Sequence, residues 1–304
     1  MRFLRRSSAD EPAPDWASPM DAGEYAAFMR LVVEILGQRL TSPTPNEGGG
    51  LEVVDESGNR STVGLANLAQ VCHHAPRSEW PGVIATHFSA ILEKPEAAPS
   101  SIEEARPMLR VRLIPDDFEA GSALGELATR PVADGLRAAL VLDHPRTISY
   151  VTTDVSGQWQ TSAAELFEIA IDNVRQHEKP TVERIAGEVP LTFLLGDSFY
   201  VASNLLLLDD FLDPRTPHGA IAAAPNRHMV VFQPIVDLSI AGSINAVLPI
   251  IHQAYREGPA PISPDLFWWR DGQLTLLPVR IENGNVGFYP PPEFVEVLNT
   301  LPSA

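Results

Sequence analysis

Three side chains in the second half of the sequence have the chemistry that group transfer needs. Ser203 offers a hydroxyl and Asp197 a carboxylate near the predicted start of a helix, and His228 offers an imidazole on a neighbouring predicted strand. The first N–H groups of a helix have no partner within it and can stabilise a developing oxyanion. These residues form a dispersed catalytic set for a hydrolase or a transferase if Ser203 Oγ and the His228 ring come within hydrogen-bond reach.

A run of aromatic side chains forms a second candidate site. Phe267, Trp268 and Trp269 stand directly before Arg270 on a predicted strand. Aromatic rings and arginine are the side chains that protein interfaces favour at their energetic centres. Because neighbouring residues of a strand face opposite sides, one Trp belongs to the core in either interpretation. The run predicts a contact surface for another polypeptide, and the alternative is a strand buried in the core.

The single cysteine has histidine neighbours, and thiolate and imidazole both bind zinc. Cys72, His73 and His74 are consecutive, and His87 follows further along the chain. Consecutive residues of a helix point about 100° apart, so these side chains do not converge on one ion as the ligands of a catalytic zinc do. We therefore expect a half-buried thiol with surface histidines, and we predict neither a metal nor a cofactor.

Common phosphate-binding and nucleophile motifs are absent from the sequence. The glycine run at 48–50 has no following lysine and no strand-to-helix context, and the pattern Gly-x-Ser-x-Gly does not occur. Two acidic pairs remain, Asp116 with Asp117 and Asp209 with Asp210. Such pairs act as acid and base when their pKa values differ, but helix-dipole stabilisation and solvated charge explain them more simply.

The elements that must position these residues are amphipathic helices and short strand pairs. In the first third of the chain, apolar residues from Tyr25 to Leu40 recur at steps of three and four and predict one long helix. A hairpin is predicted at 51–54 with 60–65, and two more helices near 67–75 and 79–93.

Beyond residue 101 a helix followed by two strands recurs four times. The helices are predicted near 117–129, 161–177, 198–212 and 239–257, and the strand pairs at 136–143 with 147–153, 182–186 with 191–196, 219–224 with 228–236, and 266–270 with 274–281. Ser162 and Glu165 have the spacing of a capping box, and Asp271 with Gly272 is typical of a tight turn. Strands joined so closely run antiparallel. The sequence therefore predicts an α+β fold, with helices on one face of mostly antiparallel sheets built from helix–hairpin units.

The length of 304 residues exceeds what one hydrophobic core usually supports, so two lobes are predicted. A proline-containing linker near 94–101 separates them. The predicted segments are a flexible tail at 1–19, an N-terminal α+β lobe at 20–95, a C-terminal α+β domain at 101–289 and a helical tail at 290–304. The helical tail docks on its own chain or on another subunit.

The charge balance narrows the classes of partner. The sequence has 22 Lys and Arg against 39 Asp and Glu, a formal net charge of −17. Such a surface repels phosphate backbones and anionic lipid, so we expect another protein as the partner, and neither nucleic acid nor a membrane. One cysteine fits a reducing compartment, and no apolar segment follows the basic start as an export signal requires. We therefore expect a cytoplasmic protein, whose oligomeric state the sequence does not predict.

Short matches over residues 130–280 resemble the YtpQ-like family of bacterial proteins of unknown function. They are Leu142 and Asp143 at a strand end, Asp197, Ala202 and Ser203 at a helix start, Ile221 and Pro225 before an apolar strand, and Pro261, Ile262 and Ser263 leading into Phe267, Gly272 and Leu274. The family's Pro-His-Gln-Asp run is Pro225, Asn226, Arg227 and His228 here, and Val201 replaces an acidic residue. The resemblance implies a shared fold, and these departures imply that any catalysis at those positions is lost.

Three functions follow from these observations. The first is a non-catalytic acidic adaptor or chaperone-like protein that binds another polypeptide, because the sequence shows no assembled catalytic cluster. The second is a hydrolase or transferase that uses Ser203, Asp197 and His228. The third is a small-molecule binder with a pocket between lobes. The first is our prediction, and the other two are the alternatives.

Overall fold

The computed structural model divides the chain into two compact units, with the main boundary between Ala97 and Ala98. The residues that it describes are 13–18, 20–37, 44–45, 50–54, 60–92, 98–118, 126–145, 147–187, 189–214, 216–282 and 285–303. Three predicted segments lie partly or largely outside them, namely the tail at 1–19, the linker near 94–101 and the helix near 117–129. The domain limits predicted from the sequence stay predictions.

The described part of the N-terminal unit has a short 3-10 turn (Asp15–Ala17) and, beyond it, three helices and a small antiparallel sheet. They are α1 (Ala22–Gly37), β1 (Thr44–Pro45), β2 (Gly50–Val54), β3 (Arg60–Gly64), α2 (Ala66–His74) and α3 (Trp80–Leu92). Asp21 and Glu24 cap α1 reciprocally, since each side chain accepts the backbone N–H of the other. Phe28, Val32 and Leu36 of α1 are fully buried in the core of this unit. The helical periodicity of the sequence therefore predicted the correct inner face.

The C-terminal unit begins with a four-stranded antiparallel sheet. The elements of this part of the chain are α4 (Ile102–Ala105), β4 (Leu109–Pro115), β5 (Thr129–Ala133), β6 (Leu136–Asp143), β7 (Ile148–Tyr150), α5 (Thr153–Gln158) and α6 (Ala163–His177). Strand β6 pairs with β4, β5 and β7. Along β4, Leu109, Val111 and Leu113 belong to the core. Arg112 therefore faces the opposite side of the sheet, because side chains alternate along a strand.

A six-stranded antiparallel sheet follows. Its strands are β8 (Thr181–Ile185), β9 (Leu191–Leu195), β10 (Ala220–Asn226), β11 (Met229–Pro234), β12 (Leu266–Arg270) and β13 (Gln273–Leu277), in the spatial order β13, β12, β10, β11, β9, β8. The other elements are a 3-10 segment (Val201–Asp210), α7 (Ile240–Glu257), a hairpin of β14 (Val279–Glu282) and β15 (Asn285–Phe288), and α8 (Pro292–Thr300). Helix α8 packs on its own chain, since Phe294 is fully buried and contacts the ring of Trp268.

The six-stranded sheet is covered on both faces. Ala220, Ala222 and Ala224 of β10 belong to a core that also contains residues of the four-stranded sheet, α6 and the 3-10 segment. Ile221 and Ala223 belong to a second core, with residues of α7 and α8. The sequence predicted a sheet with helices on one face only. The observed sheet is covered on its other face as well, because the four-stranded sheet contributes to the core there.

The predicted α+β class with antiparallel pairing is confirmed, since every described strand pair is antiparallel. The repeated helix–hairpin unit and the two-lobe arrangement stay predictions. The segment predicted as a helix near 198–212 is 3-10, and Leu207 has non-helical backbone angles. Within the described ranges, none of the helices combines the length and the apolar character needed to span a bilayer.

Candidate functional site

Of the three predicted catalytic residues, Asp197 acts on His228 through its charge, whereas the hydroxyl of Ser203 takes part in a separate hydrogen bond. Ser203 is 1% exposed, and its hydroxyl donates to the carbonyl of Val111 at 2.7 Å along the edge of β4. His228 lies in the turn between β10 and β11, where burial and the charge of Arg227 lower the pKa of the ring and the charge of Asp197 partly opposes them. Because the Ser203 proton is donated to a backbone carbonyl, the structure does not present this hydroxyl as a nucleophile.

The predicted aromatic contact patch is not on the surface. Phe267, Trp268 and Trp269 are 0%, 6% and 7% exposed, and only Arg270 stays partly accessible. The reason is the position of β12 between β10 and β13 in a sheet whose two faces are covered, with Phe267 and Trp269 in one core and Trp268 in the other. The alternation of side chains along the strand predicted that one Trp faces outward. Both are buried because the sheet is covered on its second face too, which the alternation does not indicate.

The cysteine and its histidine neighbours do not form a metal site. Burial raises the pKa of the Cys72 thiol to about 11, and the nearby His73 Nδ1 lies 2.9 Å from Glu24 Oε2. Across the described stretches, no group of three or more His, Cys, Asp or Glu side chains is placed to hold a metal ion. A thiol with a raised pKa is a poor nucleophile at neutral pH.

Two arginines converge on one exposed aromatic ring, and we call this group the arginine pair. The guanidinium carbon of Arg227 lies 4.4 Å from the centre of the Phe199 ring, and that of Arg112 lies 5.9 Å from it. Phe199 is 45% exposed. Both distances are in the range of cation–π contacts, which hold a guanidinium flat without neutralising its charge.

Phe199 is exposed, but the residues on either side of it are anchored. The Ser198 hydroxyl donates to the carboxylate of Glu178 and accepts the backbone N–H of Tyr200. The Tyr200 ring is buried, and its hydroxyl donates to Asp143 Oδ1 at 2.8 Å. An aromatic side chain held this way presents a rigid surface at low entropic cost.

Arg227 occupies a tight turn that is held on both sides. The Asn226 amide donates to the carbonyl of Ala254 in α7 at 2.8 Å, and its oxygen accepts the backbone N–H of His228 at 3.0 Å. The carbonyl of Arg227 accepts the N–H of Ala202 at 3.1 Å. The backbone of the turn is thereby fixed, and the Arg227 side chain extends over Phe199.

Arg112 reaches the same place from β4 and has a tyrosine as its polar partner. Its Nη1 donates to the Tyr150 hydroxyl at 3.1 Å, and the Tyr150 ring contacts Phe118, which is 36% exposed. Burial raises the pKa of Tyr150, so the phenol stays protonated at neutral pH. Two exposed aromatic rings, Phe118 and Phe199, thus flank the arginine pair.

The electrostatics of the pair are unusual for so acidic a chain. Among the described residues neither Arg112 nor Arg227 forms an ion pair with a carboxylate. Burial, and then the charge of Arg112, lower the pKa of Arg227 to about 10. Arg227 Nε donates to His228 Nε2 at 2.8 Å, and burial and Arg227 together lower the pKa of His228. The site therefore offers hydrogen-bond donors and uncompensated positive charge, which bind anions.

Sequence reasoning did not identify this site, although each part left a signal. Arg110 and Arg112 alternate with Leu109, Val111 and Leu113, which is typical of a half-buried strand, and Arg227 and His228 stand where the resemblance to the YtpQ-like family has other residues. The missing information was that β4 and the turn between β10 and β11 meet at one ring. That proximity depends on the packing of the two sheets, which residue spacing does not encode.

The fold and the site define a protein whose C-terminal unit has a four-stranded and a six-stranded antiparallel sheet and a cationic site, in a chain with a net charge of −17. No protein-family model, curated protein or solved structure matches the chain.

Proposed function

We propose that this chain is a non-catalytic interaction protein that binds another polypeptide through an anionic group of that partner. The observation that carries the proposal is the arginine pair, in which two partly buried guanidiniums lie on one anchored ring and form no ion pair with any carboxylate of the described residues. Such unpaired charge is unfavourable for the folded chain alone, and an anionic ligand offsets it. An acidic chain has many carboxylates that could have paired with these arginines. The lack of such an ion pair among the described residues supports a binding role.

The position of Ser203 supports a binding protein over an enzyme. A hydrolase or transferase of the predicted type needs a hydroxyl that a base can deprotonate. The Ser203 hydroxyl is buried and donates to the carbonyl of Val111, and the Nε2 atom of His228 accepts a hydrogen bond from Arg227. The base and the nucleophile are therefore occupied by separate structural contacts.

A hydrolase or transferase remains the second candidate, and one observation favours it. The charge of Asp197 opposes the lowering of the His228 pKa, and so favours uptake of a proton by the ring, as a general base requires. In that case a phosphate ester held by the arginines would be the substrate, with water as the nucleophile. Turnover in a screen of such esters, lost in a His228→Gln variant, would favour the enzyme.

The test of the proposed function uses the full chain as bait in its native lysate. We expect one stoichiometric protein partner with the wild type and with the control variant Arg184→Gln, which removes an exposed arginine of β8. The double variant Arg112→Gln/Arg227→Gln should lose this partner while its circular dichroism spectrum stays the same. Equal recovery of the partner by the double variant, or recovery of no partner by the wild type, would overturn the proposal.

A further inference from the structure

The number of charges at the arginine pair restricts the anion that it fits. Two guanidiniums contribute two positive charges, and Arg227 is held close enough to Arg112 for their repulsion to be felt. Asp197, whose charge acts on His228 in this turn, is itself exposed. A carboxylate neutralises only one guanidinium, whereas a dianion neutralises both. The site is therefore matched to a doubly charged group.

The available donors restrict the shape of that group. Among the described residues, Arg112 donates one N–H to the Tyr150 hydroxyl and Arg227 donates its Nε–H to His228, so both keep N–H groups for a ligand. The Tyr150 oxygen accepts from Arg112 and keeps its own proton for donation. His228 Nε2 accepts from Arg227, so a neutral ring carries its hydrogen on Nδ1. Several donors around two charges suit a group with three terminal oxygens.

The rings beside the arginines indicate what carries the anion. Phe199 and Phe118 are 45% and 36% exposed, and Tyr150 contacts Phe118 with ring centres 5.3 Å apart. Exposed aromatic rings next to cations favour a ligand with an apolar or aromatic body beside its anionic group.

We propose that the arginine pair binds a phosphate monoester in its dianionic form, with the organic part of the ester against Phe118 and Phe199. This inference rests on the arginine pair of the proposed function and specifies the anionic group that the pair binds. The phosphate binds without any bond being made or broken. It is carried by a phosphorylated side chain of the partner polypeptide or by a free phosphorylated metabolite, and both sources share the same chemistry.

The experiment measures calorimetric binding of defined probes to the full chain near pH 7.5. We expect phenyl phosphate to bind at least about tenfold more tightly than benzoate, which has the same ring and one charge. Arg112→Gln and Arg227→Gln should each weaken phenyl phosphate about tenfold or more, and Arg227→Lys by less, because lysine keeps the charge and loses the planar fork. Arg184→Gln is the matched control and should leave binding unchanged. Phe199→Leu should reduce the preference for phenyl phosphate over inorganic phosphate.

Two further probes separate the sources of the phosphate. A short tyrosine-phosphorylated peptide that binds more tightly than phenyl phosphate indicates a polypeptide, and a nucleoside monophosphate that does so indicates a metabolite. Benzoate binding as tightly as phenyl phosphate, or equal losses in Arg184→Gln and Arg227→Gln, would overturn the inference. If the lysate partner depends on the arginines but phenyl phosphate does not bind, this inference fails while the proposed function stands. If the partner is retained by the double variant, the proposed function fails whatever the probes show.

Discussion

At the scale of single residues, Arg227 shows how the folded chain holds a charge at an unfavourable place. Its guanidinium is partly buried and repelled by Arg112, and both effects lower its pKa to about 10. The contacts that keep it there are a neutral histidine and an aromatic ring. Neither contact supplies a counter-charge, so the residue contributes little to stability, which agrees with the proposed binding role.

The unfavourable position of Arg227 predicts how the stability of the folded chain changes when its charge is removed. Arg227→Gln should leave the free energy of unfolding unchanged or raise it by about 1 kcal/mol, because a desolvated charge facing a like charge is lost. Urea unfolding followed by circular dichroism measures the change, and the exposed control Arg184→Gln should stay within about 0.5 kcal/mol of the wild type. A loss of more than about 2 kcal/mol in Arg227→Gln would show that the residue is a structural anchor.

His228 predicts a pH dependence of stability. Burial and the charge of Arg227 lower its pKa in the folded chain, and Asp197 opposes them. The unfolded chain therefore takes up a proton first, near the ordinary value of about 6.5, so stability that is complete above this pH is lost as the pH falls through it. Because the ring is half exposed, the loss between pH 7.5 and 5.5 should be roughly 0.5 kcal/mol.

Two variants separate the contribution of His228 to the pH dependence of stability from that of the carboxylates. His228→Gln should remove the extra loss of stability on acidification, and Asp197→Asn should increase it, because the charge that raises the pKa of His228 is gone. Denaturant unfolding at pH 7.5 and 5.5 measures the loss of stability on acidification in the wild type and in each variant. An identical loss in all three proteins would contradict the assignment of this pH dependence to His228.

At the scale of elements, the sequence predicts the features that depend on local chemistry. Ser162 Oγ accepts the N–H of Glu165 at the start of α6, as the spacing indicated. Asp271 and Gly272 both have positive φ at the turn between β12 and β13. The burial of Trp269 and the approach of Arg112 to Arg227 were not predictable in this way, because both depend on which faces of two sheets come together.

The tight turn that carries Arg227 depends on a glycine outside the arginine pair. A Cβ atom at Gly258, after the end of α7, would overlap Asn226 Nδ2 and the carbonyl of Ala254, which are the two groups that anchor the turn. Gly258→Ala should therefore lower the free energy of unfolding by about 1–3 kcal/mol and weaken phenyl phosphate binding.

Gly242 is the matched control for this prediction, because nothing lies within 4 Å of a Cβ at that position in α7. Gly242→Ala should leave binding unchanged and raise stability by up to about 1 kcal/mol, since alanine favours a helix. Thermal unfolding and calorimetry measure both effects. Unchanged phenyl phosphate binding in Gly258→Ala would show that the turn does not position the arginine.

At the scale of the whole molecule, the arginine pair is a local exception in a chain with a net charge of −17. The long-range field of such a chain repels anions, and screening by salt limits this repulsion to about 8–10 Å under physiological conditions. An anion must therefore come within contact distance before Arg112 and Arg227 attract it. Selectivity follows from this balance, because only a ligand that uses both guanidiniums and the flanking rings gains enough to overcome the field.

The division of the chain gives the last prediction. All residues of the arginine pair and its supports lie after Ala98, in a unit with two apolar cores of its own. A fragment of residues 98–304 should therefore fold cooperatively and bind phenyl phosphate within about threefold of the full chain, because a unit with its own core folds alone. Calorimetry of binding and thermal unfolding of the fragment measure this. A fragment that folds but binds about tenfold more weakly would show that residues before Ala98 contribute to the site, and an unfolded fragment would show that its cores are not sufficient.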